Sequence, residues 1–214
     1  MKIKDFKTHK ITRSTPPYQS DYARYKPFLK IDFCGRCAYC NLKDITITTP
    51  FEVDHFIPRA SFKDGRMDLD TDYRNLIYSC KKCNNAKRKQ FSGDIHSAHP
   101  TNELFYDPVA VDYNDIYYRN HLGAIDSDDE KGKRTITRLK LYRPIHILSW
   151  LCEEMYETAE RLEKAVKTEE DEIRKQTLES ALNMLNAQYR KFNHLFIAAY
   201  NDNGFSIAAI EDMD

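Results

Sequence analysis

The chemistry open to this 214-residue chain rests on cysteines, a carboxylate beside an imidazole, and two asparagines. Cys37-Ala38-Tyr39-Cys40 and Cys80-Lys81-Lys82-Cys83 are two Cys-x-x-Cys pairs. Such a turn sets two thiolates side by side, and two turns complete a tetrahedral four-cysteine site for structural Zn2+. Cys34-Gly35-Arg36-Cys37 has the same spacing; Cys37 and Cys40 are preferred because Cys40 leads into a strand region, which leaves Cys34 a bystander. A closed four-thiolate site does no chemistry itself, but it makes a small unit with little core rigid. Between the pairs lie Asp54 and His55. An ordinary imidazole titrates near about pH 6.5, so His55 is the best general base in the chain. Asp54 offers the hard oxygen that Mg2+ prefers, and Asn84 brings a carbonyl oxygen to the same ion if the helix opening near Cys83 packs over the strand. An activated water, a cation over developing negative charge and fixed geometry are what phosphodiester hydrolysis requires.

These residues need elements to hold them. Ile45–Thr49 and Phe51–His55 are β-branched or aromatic and read as strands, Asn75–Ser79 as another, and Cys83–Gln90 as a short basic helix. Neighbours on a strand point to opposite faces, so Asp54 and His55 share a site only where the strand ends, an ending that Pro58 marks. Residues 1–30 form a polar N-terminal arm broken by Pro16-Pro17, expected to lie over the domain or its substrate. Residues 93–143 are a mixed connecting region, with one more strand at Ile116–Arg119 and a solvated loop at Ser127–Glu130. From Pro144 the spacing changes: Ile147, Leu148, Leu151, Met155, Ala159, Leu162 and Val166 make one helical stripe, and Ile173 to Ala199 a second. Residues 144–214 are therefore expected to be a helical hairpin, with Cys152 on its apolar face and Phe205–Ile210 as surplus apolar surface. The fold class is α+β.

Charge separates the same two regions. Lys and Arg total 33, as do Asp and Glu, which by itself argues against a nucleic-acid binder. Residues 1–92, however, hold 19 basic and 10 acidic residues, a balance of +9, and residues 93–214 the opposite balance, with 14 against 23. The basic half carries every candidate for chemistry; Glu153, Glu154, Glu157, Glu160, Glu163 and Glu169–Glu172 suit the acidic half to partner contact. The sequence contains no long apolar span and no apolar signal core after Met1, which points to the cytoplasm, where thiols stay reduced.

Val53-Asp54-His55-Phe56-Ile57-Pro58, then Asn75-Leu76, then Cys80-Lys81-Lys82-Cys83-Asn84-Asn85-Ala86-Lys87, closely resemble the HNH nuclease family across Phe33 to Gln90. The resemblance implies a ββα-metal nuclease domain at residues 31–92. In it, Asp54 and Asn84 hold a catalytic Mg2+ or Mn2+, His55 activates the attacking water, and Asn75 braces the loop so that His55 points correctly. Lys87 fits the family pattern as a nucleic-acid contact, most readily with DNA, and Arg88, Lys82 and Arg59 are expected beside it. A looser resemblance of Asp107-Pro108, Gly123-Ala124-Ile125 and Thr135–Arg143 to bacterial antiphage nucleases of the Septu type implies a role in defence beside an ABC-type ATPase, met through the C-terminal half. The alternative, a non-catalytic zinc module that binds nucleic acid or protein, has no need of Asp54, His55 and Asn84 together.

Overall fold

The computed structural model describes residues 2–45 and 51–201, in two compact units that divide between Tyr142 and Arg143. The strand expected at Ile45–Thr49 lies, from Thr46 on, outside the described residues, as does Phe205–Ile210.

In the first unit, β1 (Lys2–Asp5) pairs antiparallel with β4 (Tyr118–Asn120), which pairs antiparallel with β5 (Ile125–Asp126). The N-terminal segment is thus woven into the fold rather than laid over it as an arm. Phe6 is the physical reason: it is buried against the rings of Tyr113 and Tyr117, at 6.2 and 5.6 Å between centroids. β4 begins later than the Ile116–Arg119 expected, because Asp112 accepts from the Asn114 backbone and winds Tyr113–Asp115 into a 3-10 turn first. The connecting region also holds a helix that the sequence reading missed, α4 (Glu130–Leu139), opened by Asp129 accepting from the Gly132 backbone at 2.7 Å. A side chain at Gly132 would collide with Ser127 Oγ, which is why only glycine fits that first turn.

The chemistry is carried on a two-stranded antiparallel ribbon. β2 (Phe51–His55) pairs with β3 (Leu76–Cys80) in a register that sets Phe51 opposite Cys80 and His55 opposite Leu76. β3 is buried along its whole length and runs directly into α3 (Lys81–Lys87). α3 opens two residues earlier than expected, since Cys80 is still extended, and closes at Arg88, whose φ of 47° ends the helical hydrogen bonding. α1 (Lys26–Asp32) precedes the ribbon, and α2 (Arg59–Phe62) with a 3-10 turn at Met67–Asp70 spans the loop between its strands. That loop is anchored by a small core of Ile57, Phe62 and Leu69, against which Phe91 and Ile95 pack.

The second unit is the expected antiparallel hairpin: α5 (Pro144–Thr168) and α6 (Glu172–Asn201), with the Tyr156 and Tyr189 rings facing at 6.4 Å. Pro144 occupies the first helical turn, where its missing N–H costs no bond.

Candidate active site and metal centre

The two Cys-x-x-Cys pairs meet. Cys37 and Cys40 lie in a turn closed by Cys37 N donating to Leu42 O at 2.8 Å, and Asn41, with a φ of 65°, reverses the chain after Cys40. Cys80 ends β3 and Cys83 sits in the first turn of α3, so strand and helix together fix the second pair. The four Sγ atoms lie within 4.8 Å of one another, all buried, with Cys40 and Cys80 at 3.8 Å. Four Zn–S bonds of about 2.3 Å define a tetrahedron with edges of about 3.8 Å, so this donor set fits Zn2+. The thiols already interact as a group: burial opposes ionisation of Cys37, but hydrogen bonds from Cys40, Cys80 and Cys83 outweigh it and hold its thiol well below the usual range. Burial, with hydrogen bonds to Cys37 and Cys80, pushes Cys40 well above it. Cys34 is exposed and outside the cluster.

Beside this centre, residues 52 and 54 share the face of β2 that meets α3, as strand alternation requires. The structure gives them separate partners. Asn84 Nδ2 donates to Glu52 Oε2 at 2.7 Å. Asp54 is buried, accepting from Lys87 Nζ at 2.9 Å through Oδ1 and from the Tyr39 hydroxyl at 2.7 Å through Oδ2. Burial and the Asp54 charge raise the Tyr39 pKa well above the usual phenol range, which keeps it a donor. Sequence reasoning paired Asp54 with Asn84; here the side chain hydrogen-bonded to Asn84 is Glu52, two residues earlier on the same strand face. The alternation of β2 was the signal that could have found it.

Lys87 also departs from expectation. It is 0% exposed, and its ammonium donates to Asp54 and to the His55 carbonyl at 2.6 Å, so it ties α3 to β2 and is not presented to a phosphate. Replacing Lys87 with Met should leave Asp54 a buried, half-satisfied charge and cost roughly 3–5 kcal/mol, measured as a loss in chemical denaturation. Arg59, Lys82 and Arg88 remain accessible: Arg59 is 53% exposed on its side chain, Lys82 half-buried and Arg88 exposed.

His55 is the last residue of β2. Its Nε2 lies 3.0 Å from the Asp70 carbonyl and 3.2 Å from Asp70 Oδ1, its ring packs edge-on to Tyr22 at 4.6 Å, and Phe62 closes the far side at 5.7 Å. Arg59 Nε approaches the same Asp70 oxygen at 2.7 Å while its guanidinium lies over the Tyr22 ring. Two acceptors at Nε2 select the tautomer protonated there, which leaves the Nδ1 lone pair to take a proton. Burial lowers the His55 pKa against the opposing pull of Asp70 and Asp54, so the imidazole is neutral near pH 7. Asn75 crosses this loop: it accepts from the Ile57 backbone at 2.8 Å and donates to the Leu69 carbonyl at 3.0 Å. Asn102 adds a second strut, donating to the carbonyls of Phe56 and Gln90. Asp70, Tyr22 and Asn102 were not foreseen; each sits in a polar or irregular stretch without periodicity to mark it.

A strand pair feeding a helix, a four-cysteine cluster at its base and an imidazole braced at the strand end fall in residues 37–90, which match the family model for HNH endonucleases. This part of the chain is an HNH endonuclease domain. The chain is similar to the Septu protein PtuB of Bacillus thuringiensis, 31% identical over 120 residues that cover 54% of this chain and 42% of that protein. It is also similar to the Septu protein PtuB of Bacillus mycoides (strain KBAB4), 28% identical over 166 residues, 66% of this chain and 56% of that one. The chain thus spans about half the length of the curated relatives it matches. No solved structure gives a significant match.

Proposed function

We propose that this protein is a metal-dependent endonuclease that hydrolyses DNA in bacterial antiphage defence. The observation that carries the reading is the His55 imidazole, its Nε2 held by Asp70, at the end of the strand that also presents Glu52 against Asn84. Glu52 and Asn84 are hard oxygen donors on facing elements and would hold Mg2+ or Mn2+, with Asp54 adding its charge from behind. A divalent ion bound there supplies a positive charge for the scissile phosphate and the leaving oxygen. His55 takes the proton of the attacking water at Nδ1, and the Asp70 carboxylate stabilises the imidazolium that results. Asn75 and Asn102 keep the loop from moving while this happens. Arg59, Lys82 and Arg88, cations that remain accessible, would attract the nucleic-acid backbone.

The similarity to Septu proteins supports the defence role, and the acidic helical unit is the part of the chain left for a protein partner, for which an ABC-type ATPase is the expected class. Among the described residues no helix is long and apolar enough to cross a membrane. The test is supercoiled plasmid incubated with the protein and Mg2+ or Mn2+, with and without the ATPase. Nicked or linear product that EDTA abolishes, and that Asn84→Ala reduces, is the expected result. No metal-dependent cleavage under either condition overturns the reading.

A further inference from the structure

Lys7 poses a problem that cleavage does not solve. It is 5% exposed, and among the described residues no carboxylate forms an ion pair with it. Burying an ammonium without an opposite charge is costly, so such groups are ordinarily paired. The Lys7 ammonium donates instead to the carbonyl of Ala38, inside the turn between Cys37 and Cys40, and stands 4.2 Å over the Tyr113 ring. The segment that delivers it is fixed at both ends. Asn114 accepts from the Lys7 backbone N–H at 2.8 Å and donates to its carbonyl at 2.9 Å, and Asn41, the residue after Cys40, donates to the carbonyl of Phe6 at 3.2 Å. Neither Lys7 nor Asn114 lies within residues 37–90, so this contact is an addition to the nuclease module from the sheet beside it.

We propose that Lys7 is the charge partner of the four-cysteine zinc centre, a positioning residue that holds the metal in place. Zn2+ with four thiolates carries a net charge of −2, and a buried dianion calls for a nearby cation as strongly as a buried cation calls for an anion. Each supplies what the other lacks. Outer partners of metal ligands commonly change metal retention by about 10–100-fold.

The test is the rate at which the full-length, zinc-loaded protein gives up its metal to a chromogenic chelator, a measurement that needs no nuclease assay. Lys7→Met and Lys7→Gln should release zinc about 10–100-fold faster than wild type, Lys7→Arg close to wild type, and Lys10→Met, on the exposed neighbour, at the wild-type rate. Glutamine retains a donor for the Ala38 carbonyl and removes only the charge, so it decides the matter where methionine fails to fold. Lys7→Gln that keeps zinc as well as wild type overturns the proposal, and so does a wild-type protein that folds with no zinc bound.

Discussion

Cys83→Ser is expected to lose the zinc and, with it, the folded nuclease unit. Cys83 is one of four buried sulfurs that meet where β3 turns into α3, and a serine hydroxyl is a weak, hard donor in a site built from soft ones. Structural zinc contributes on the order of 10–16 kcal/mol of apparent binding free energy in small metal-folded units, comparable to the whole stability of an ordinary domain. The four sulfurs tie the end of the two-stranded ribbon and the start of α3 to the Cys37–Cys40 turn, so losing the metal unfastens all three. Atomic emission should find about one zinc per chain in wild type and none in Cys83→Ser. Circular dichroism should show lost structure in the variant, with the signal of the helical hairpin persisting. Cys34→Ser is the internal control, since that thiol is exposed and outside the cluster: its zinc content and melting should match wild type. Retention of zinc and fold by Cys83→Ser would contradict the four-thiolate centre.

Much of this was legible in the sequence because the signals were local. The cysteine pairs, the Asp54-His55 strand end and the two long helical stripes are patterns within a few residues, whereas Asn75, expected to open a strand, closes a 3-10 turn just before it. What escaped depends on contacts across the chain. Asp70 reaches His55 through a loop whose course is set by Asn75 and the Leu69 cluster, and nothing in Met67-Asp68-Leu69-Asp70 distinguishes one carboxylate from another. Lys7 reads as a solvated residue in a polar arm, and only the pairing of β1 with β4 carries it inward. α4 was missed because its β-branched Thr135, Ile136 and Thr137 resemble a strand, while its start depends on one capping carboxylate and one glycine.

Burial also changes what the charge asymmetry means. The +9 of the first 92 residues counts Lys7 and Lys87, yet both are buried and committed to internal partners. The charge left to attract phosphate is carried by residues such as Lys81, Arg88 and Lys89, exposed near α3, and by Arg59 beside His55. A lysine in the family pattern is therefore not evidence of a phosphate contact. In this fold the Lys87 position is an internal strut, and the proposed nucleic-acid surface falls to its exposed neighbours.

His55→Ala should reduce cleavage by about 10²–10⁴-fold while leaving the fold and the zinc unchanged, the range that a positioned general base contributes. The imidazole is enclosed by Tyr22, Phe62 and Asp70, and its removal leaves a small void beside a strand end rather than an unpaired charge. Asp70→Asn should give a smaller loss, because the Asp70 backbone carbonyl still accepts at Nε2 while the carboxylate that stabilises the imidazolium is gone. Direction in pH follows from the same contacts. The base must be neutral to act, and burial places its pKa below the ordinary imidazole value of about 6.5. Cleavage should therefore be fully developed at pH 7 and fall only as the medium is acidified through that lowered value. Measuring kcat on plasmid from pH 5 to 8, at saturating metal, separates base from scaffold. A scaffold role for His55 would lower activity equally at every pH, whereas the loss of a base removes the acid limb itself, leaving the residual rate of His55→Ala without that dependence.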